Sequence, residues 1–431
     1  MTEEITFGDL IDRGILDVTD GYRAQNSELG GNGLIFLRAG HVTDSHIDFT
    51  GVDRFHDELT PRLKEKISQP DDVAVTTKGN STGRIAFVTA TMPPFVYSPH
   101  LSRWRSLDRD QLEPGFLRYW SSGREFAIQL RGMSASTDMA PYLSLRDQRR
   151  LKLTLPHIDS QRAIANVLGA LDEKIEQNRQ TAQALERLVR AIFRAWFVDF
   201  EPVRAKAVGA STFPSVPQPV FDALPTRFVD FAIGPVPEGW DVGKLGDHCR
   251  INQRSVGAGE MSGVVEYVDI SSVTVGRLTG LQRVPFSEAP SRARRRIGHG
   301  DTIWSCVRPN HRSHLFIHSP PEKRIVSTGF AVLSPSSFGP SFLYEITTQP
   351  EFVDYLVSNA DGSAYPAVRS DHFASAEIVV PPQVMRDAFE EITMPLRDSL
   401  AASERESASL GAMRDYLLPK LLSGEVRAAS A

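Results

Sequence analysis

The chain has 431 residues, of which 41 % are hydrophobic and 23 % charged. This is enough apolar mass for two or three globular domains, and it argues against a disordered or fibrous chain. The net charge of −5 excludes a polypeptide that is basic overall, so any nucleic-acid surface must be local. No apolar run approaches the ~18 residues of a membrane span, and the acidic opening MTEEITFGDL lacks a signal-peptide core. The only cysteines, Cys249 and Cys306, cannot build a disulfide framework. Together these features predict a cytoplasmic protein with no membrane partner.

In chain order, Leu34–Phe36, Val73–Thr77 and Arg84–Val88 read as short strands, with a polar turn at Lys78-Gly79-Asn80-Ser81. A short helix follows over Phe116–Ser121. After Pro156 and Asp159-Ser160, which signal a helix start, apolar residues recur in steps of three and four. They are Ile164, Leu168, Leu171, Ile175, Ala182, Leu185, Val189, Ile192 and Trp196, with Asn178 as one polar member of the seam. This pattern predicts a long coiled-coil helix. Residues 201–239 hold seven of the 28 prolines and read as an extended linker. Strands are then expected at Val264–Val268, Thr302–Val307 and Leu315–Ile317, and a short helix at Ser341–Thr348. A second long helix is expected from Gln383 to Leu422, with a rougher seam that Pro395 should kink or break.

The two series are copies of each other. Phe116-Leu117 and Glu125-Phe126 fall on Phe342-Leu343 and Glu351-Phe352 at an offset of 226 (342 against 116). Leu171, Ile175 and Leu185 fall on Leu396, Leu400 and Leu410 at 225 (396 against 171). Upstream the offset drifts, with Asp71 on Asp301 and Lys78 on Arg308 at 230 (301 against 71). Insertions are therefore tolerated in the front of each unit and not in its helix. The fold expected is α+β (mixed α/β): two similar globular domains separated by two long antiparallel coiled-coil helices, in a pseudo-twofold internal repeat. The segments are 1–155, the helix at 156–200, the linker at 201–239, the second domain at 240–381, the second helix at 382–424 and a tail at 425–431. Leu168, Leu171, Ile175, Asn178 and Leu185 should pair with Leu396, Leu400, Ser403 and Leu410. Asn178 should face its repeat mate Ser403 as a polar layer that fixes register.

Catalytic machinery is not evident. An amino-methyltransferase needs an Asn/Asp-Pro-Pro-aromatic tetrapeptide, and Met92-Pro93-Pro94-Phe95 and Val380-Pro381-Pro382-Gln383 lack its Asn or Asp. No phosphate-binding loop occurs. Asp159 and Asp172-Glu173-Lys174 imitate a nuclease carboxylate–lysine set, but the latter trio lies between seam residues and reads as outer-face charge. His299, Cys306, His311, His314 and His318 crowd together, yet no second Cys-x-x-Cys completes a zinc site, so no metal is expected.

The segment LPHIDSQRAIANVLGALDEKIEQNRQTAQALERLVRAIFRAWFVDFEPV closely resembles the central conserved region of type I restriction–modification specificity subunits. LGAMRDYLLPKLLSGEVRA resembles their distal conserved region. GPVPEGWDVGKLGD and ITFGDLI resemble the openings of their two target-recognition domains. The resemblance implies a non-catalytic subunit whose two domains each read half of a split double-stranded DNA site, with the helices as a ruler between them. It also implies two modification (methyltransferase) subunits and restriction (translocase/nuclease) subunits as partners, carrying S-adenosylmethionine, ATP and Mg²⁺, so that this chain binds no cofactor. The rival readings are a stand-alone DNA-modifying enzyme and a coiled-coil scaffold with no nucleic-acid role.

Between Trp240 and Phe330 thirteen Lys/Arg face eight Asp/Glu. Arg294, Arg295 and Arg296, with Arg292 beside them, either bind phosphates or form a merely solvated run. The loop holding Arg308, Asn310, His311 and Arg312 matches base edges in donor and acceptor type. Its expected mate holds Lys78, Asn80 and Arg84, where a plain turn is the alternative. Gly21–Asn26, Arg38 and Arg103-Trp104-Arg105 are weaker candidates.

Overall fold

The computed structural model describes residues 3–43, 46–134, 142–257, 259–362 and 365–428. Part of the expected tail lies outside them. The chain divides into one unit of residues 1–177 with 406–431, and a second of residues 178–405. The division falls inside two helices of 40 residues each, Ile158–Phe197 and Gln383–Leu422. They begin 225 residues apart (383 against 158).

Both units are built from the same parts. In the first, Leu16–Asp20, Leu101–Ser106, Val73–Thr76 and Ile85–Phe87 form an antiparallel sheet in that order. In the second, Cys249–Ile251, Phe330–Pro335, Thr302–Ser305 and His314–Phe316 repeat that order. Each unit adds a second sheet with a parallel pair, Ile35–Leu37 on Phe95–Tyr97 and Val264–Val268 on Arg324–Ser327. Each also closes with an antiparallel ribbon leading into its long helix, Glu3–Thr6 on Lys152–Leu155 and Asp241–Lys244 on Glu377–Val380. Short helices Pro114–Ser121 and Pro340–Thr348 stand at the expected places.

The helix seams are packed within each unit. Ile164 and Leu168 are buried with Trp104, Trp120 and Phe126 in the first core, together with Leu421 from the end of the other helix. In the second core Phe193 and Trp196 meet Phe389, with ring centroids 5.7 and 6.2 Å apart. Early residues of one helix therefore meet late residues of the other, which is an antiparallel arrangement. Leu171, Ile175, Leu185, Leu396, Leu400 and Leu410 are half-buried, as seam residues should be. Asn178 is buried with 5 % exposure, so it does not point into solvent. Ser403 is half-buried and its hydroxyl donates to the Ser399 carbonyl at 3.0 Å.

Two expectations are overturned. Residues 201–239 are not an extended linker: they form helices Glu201–Ala207 and Gln218–Asp222 and a ribbon of Phe228–Phe231 on Gly234–Pro237. Pro202 and Pro219 sit in first turns, where the missing N–H costs nothing. Val203, Val220, Phe221, Leu224 and Val236 are buried in the second core. Nor does Pro395 break the second helix, which continues through it. The proline ring is exposed, while Phe389 and Arg397 on either side are buried, and their contacts hold the chain helical across the lost hydrogen bond.

The seam of the second helix is rough because part of it is polar. Arg397, buried, donates to Glu345 Oε1 at 2.8 Å and to Ser341 Oγ at 2.8 Å. Its mate in the first helix at 225 is Asp172, which accepts from Arg118 at 2.5 Å, Tyr119 at 2.8 Å and Arg414 at 2.9 Å. Asp172 thus ties the helix to its domain and is not an outer-face charge. Both units lock the helix at the same place with opposite polarity. Burial raises the carboxyl pKa of Glu345, while Arg397 opposes the rise. Arg397→Ala leaves Glu345 buried without its partner and should cost about 3–5 kcal/mol in urea unfolding of the second unit, whereas the double change Arg397→Met with Glu345→Leu should recover most of that.

Candidate nucleic-acid interface

In each domain the candidate loop is the tip of a hairpin. The strands are Val73–Thr76 with Ile85–Phe87, and Thr302–Ser305 with His314–Phe316. They match at an offset of 229 (302 against 73). A buried carboxylate anchors each hairpin at its base. Asp72 accepts from Arg105 at 2.5 Å and from the Tyr97 hydroxyl at 2.8 Å. Asp301 accepts from Arg254 at 2.7 Å and the Gly298 amide at 2.6 Å. A neighbouring loop then clamps each tip. Lys78 bridges to Tyr142, and Val307 to Ala367. The Leu143 amide donates to the Thr77 carbonyl and the Val368 amide to the Cys306 carbonyl, both at 2.8 Å.

This geometry corrects the expected mates. Asp301 corresponds to Asp72, not Asp71, and Lys78 to Val307, not Arg308. The backbone confirms the shift, because left-handed residues recur in register. Asp71 (φ 74) matches Gly300 (φ 84), Gly79 (φ 86) matches Arg308 (φ 51) and Gly83 (φ 90) matches Arg312 (φ 55). The one-residue error arose from aligning like with like: Asp on Asp and cation on cation.

The side chains sort into two groups. Lys78, Asn80 and Arg84 are exposed at the first tip, and Asn310 and His311 at the second. Arg308 is half-buried, its guanidinium 4.9 Å from the centre of the Tyr365 ring. Arg312 turns inward and donates to the Thr348 carbonyl at 3.0 Å, at the end of helix Pro340–Thr348. Arg312 is therefore an anchor between hairpin and helix. Arg294, Arg295 and Arg296 are half-buried on a strand paired with Arg324–Ser327. Arg294 donates to the Ala293 carbonyl at 2.8 Å and lies 5.0 Å over Phe286. The run is thus partly engaged in the fold.

Weaker candidates resolve likewise. Arg103 pairs with Asp17, Arg105 with Asp72, and Trp104 has 0 % exposure. Arg38 pairs with Asp53 at 2.5 Å. The His/Cys crowd separates, except that the His299 and His318 rings meet edge to face at 4.9 Å. His314 is enclosed by Trp304 and Tyr344, its Nδ1 3.1 Å from the tyrosine hydroxyl, while His318 Nε2 meets Asp398 at 2.8 Å. Among the described residues no group of three or more His, Cys, Asp or Glu is placed to hold a metal. Sequence reasoning missed Tyr142 and Tyr365, exposed by 59 % and 70 %. The available signal was a large aromatic in a polar segment just before a helix start, found in each unit though not at equivalent positions.

No family model matches the chain. The HindI specificity subunit of a type I restriction enzyme from Haemophilus influenzae is 24 % identical, over 91 % of this chain and 94 % of the relative. The MjaIX specificity subunit from Methanocaldococcus jannaschii is 22 % identical, over 74 % and 71 %. Over most of its length the chain is similar to type I specificity subunits. A crystal structure of such an S subunit from M. genitalium shares the fold, with a TM-score of 0.59 at 14 % identity over 98 % of this chain and 96 % of that one. No described helix is long and apolar enough to cross a membrane.

Two measurements follow from this site. Burial pulls the His314 pKa down to about 3 from its ordinary 6.5, and Arg190 and Arg312 add to the effect. A depressed folded pKa means the stabilisation is full above 6.5 and is lost as pH falls toward 3, because only the unfolded chain takes up the proton. Taking the second unit from pH 7 to pH 5 should cost about 2 kcal/mol through this residue, and His314→Gln should remove that part of the pH dependence. In DNA binding, Arg294→Ala should weaken all sequences alike and reduce the slope of log K against log[salt] by about one contact. A change confined to one base position would assign Arg294 to reading instead.

Proposed function

We propose that this chain is the non-catalytic DNA-reading subunit of a type I restriction–modification complex, with one domain for each half of a split site. The observation that supports this most directly is the doubled hairpin tip. Two copies of one scaffold, in register at 229, present different polar side chains. A subunit that reads an asymmetric, two-part sequence needs the same support twice with different reading groups. Lys78, Asn80 and Arg84 serve the first half-site. Asn310, His311 and Arg308 serve the second, with Arg294–Arg296 supplying phosphate contacts. Amide and imidazole groups offer mixed donors and acceptors to base edges, while the cations neutralise the backbone.

Type I specificity subunits work within a complex of modification and restriction subunits and bind DNA. Two modification subunits, one on each helix segment of the repeat, suit the doubled architecture. S-adenosylmethionine, ATP and Mg²⁺ belong to those partners, and the complex works in the cytoplasm, where the DNA is. The test is a domain exchange. Residues 1–155 are replaced by another subunit's first domain, keeping Arg118, Tyr119 and Trp120, which hold the helix. Sequencing of methylated bases in a host carrying the complex should show one half of the motif changed and the other retained. A change in both halves defeats the two-reader scheme.

A further inference from the structure

Arg308 occupies a backbone position that the fold itself would give to glycine. Its φ is 51, in the left-handed region, and its mate in the first hairpin is Gly79 at φ 86. The second such pair behaves the same way, with Arg312 at φ 55 against Gly83 at φ 90. One hairpin takes the unstrained residue at both sites, and the other takes arginine at both. Arg312 is accounted for inside the fold by its bond to the Thr348 carbonyl. The Arg308 side chain instead meets a ring at the surface. Strain kept at a position where a relaxed alternative exists points to work done outside the fold.

That contact has a definite geometry. The Arg308 guanidinium lies 4.9 Å from the centre of the Tyr365 ring, and Tyr365 is 70 % exposed. The backbone fixes both partners: the Arg308 amide donates to the Pro366 carbonyl at 2.7 Å, and Val307 bridges to Ala367. A guanidinium held over a ring by cation–π attraction keeps N–H donors free to bond elsewhere. The contact also orders a long side chain before any ligand arrives. A planar, edge-presenting arginine is the group that bonds guanine O6 and N7 together in the major groove. We propose that Tyr365 is a positioning residue that holds Arg308 to read a guanine in the second half-site. The inference rests on the DNA-reading function proposed above and deepens it. The first domain, with Gly79 at the equivalent point, reads its half-site without such a group.

The experiment uses the full complex in cells, with the motif read by methylated-base sequencing and purified complexes checked for thermal midpoint. Arg308→Gly restores the residue that suits the backbone, so its midpoint should not fall. It should relax a guanine requirement at one position of the second half-site by roughly ten- to a hundredfold. Tyr365→Ala should relax that same position and no other, whereas Tyr365→Phe, which keeps the ring, should leave the motif unchanged. The proposal is overturned if Tyr365→Ala leaves the motif intact while Arg308→Gly relaxes it, if the two affect different positions, or if the relaxed base is not guanine. A wild-type complex that methylates no split motif overturns the DNA-reading function as well, a result distinct from any of these.

Discussion

The structure depends on how each long helix is held to a globular domain. A 40-residue helix is about 60 Å long, and its apolar stripe gains stability only when something covers it. In both units the cover is the core formed by a hairpin sheet and a pair of short helices. Apolar contacts such as those of Leu168 and Phe389 cover the stripe. Ion pairs at Asp172 and Arg397 set where along the helix the domain sits. Apolar surface alone would tolerate a slip of one turn, but a buried charge that misses its partner would not. The hairpin tips inherit their placement from this fixed point, which is why the repeat keeps a rigid offset through the helices and a looser one in the strands.

Much of this architecture could be read from the sequence. The helix seams, the strands at Val73 and Val264 and the short helices at Phe116 and Ser341 all carry periodic apolar patterns, and these survive because burial enforces them. What escaped did so for physical reasons. Residues 201–239 looked irregular because proline was read as a breaker, yet proline at a first helical turn is a starter. Pro395 looked disruptive because local propensity was weighed without the packing around Phe389 and Arg397. Arg397 itself was invisible, since a buried cation has no pattern, only a partner brought in from Glu345. The hairpin alignment slipped by one residue because chemical likeness was matched where backbone conformation was the invariant.

At the candidate site the same division appears. Exposed polar tips were legible as a class, and Asn80, Asn310 and His311 are exposed at the two hairpin tips. The inward turn of Arg312 and the ring beside Arg308 were not legible, because each depends on a segment distant in sequence. Constant scaffolding and variable tips also separate two kinds of change. Substitutions at Asp72 or Asp301 disturb the anchor and so the fold. Substitutions at the tip alter what is contacted and leave the anchor in place.

The first unit takes its final segment, residues 406–431, from the far end of the chain, and Leu421 is buried in its core beside Trp120. During synthesis the first domain leaves the ribosome early but lacks that part of its core until some 250 further residues have been added (406 against 155). At ordinary elongation rates of about 5–20 residues per second, the wait lasts roughly ten seconds or more. For that interval the part of the core that Leu421 completes lacks its cover. A ribosome that stops just after codon 405 leaves a chain whose second unit holds every one of its residues while the first lacks part of its core. Such a product is marked by apolar surface left bare in its opening domain.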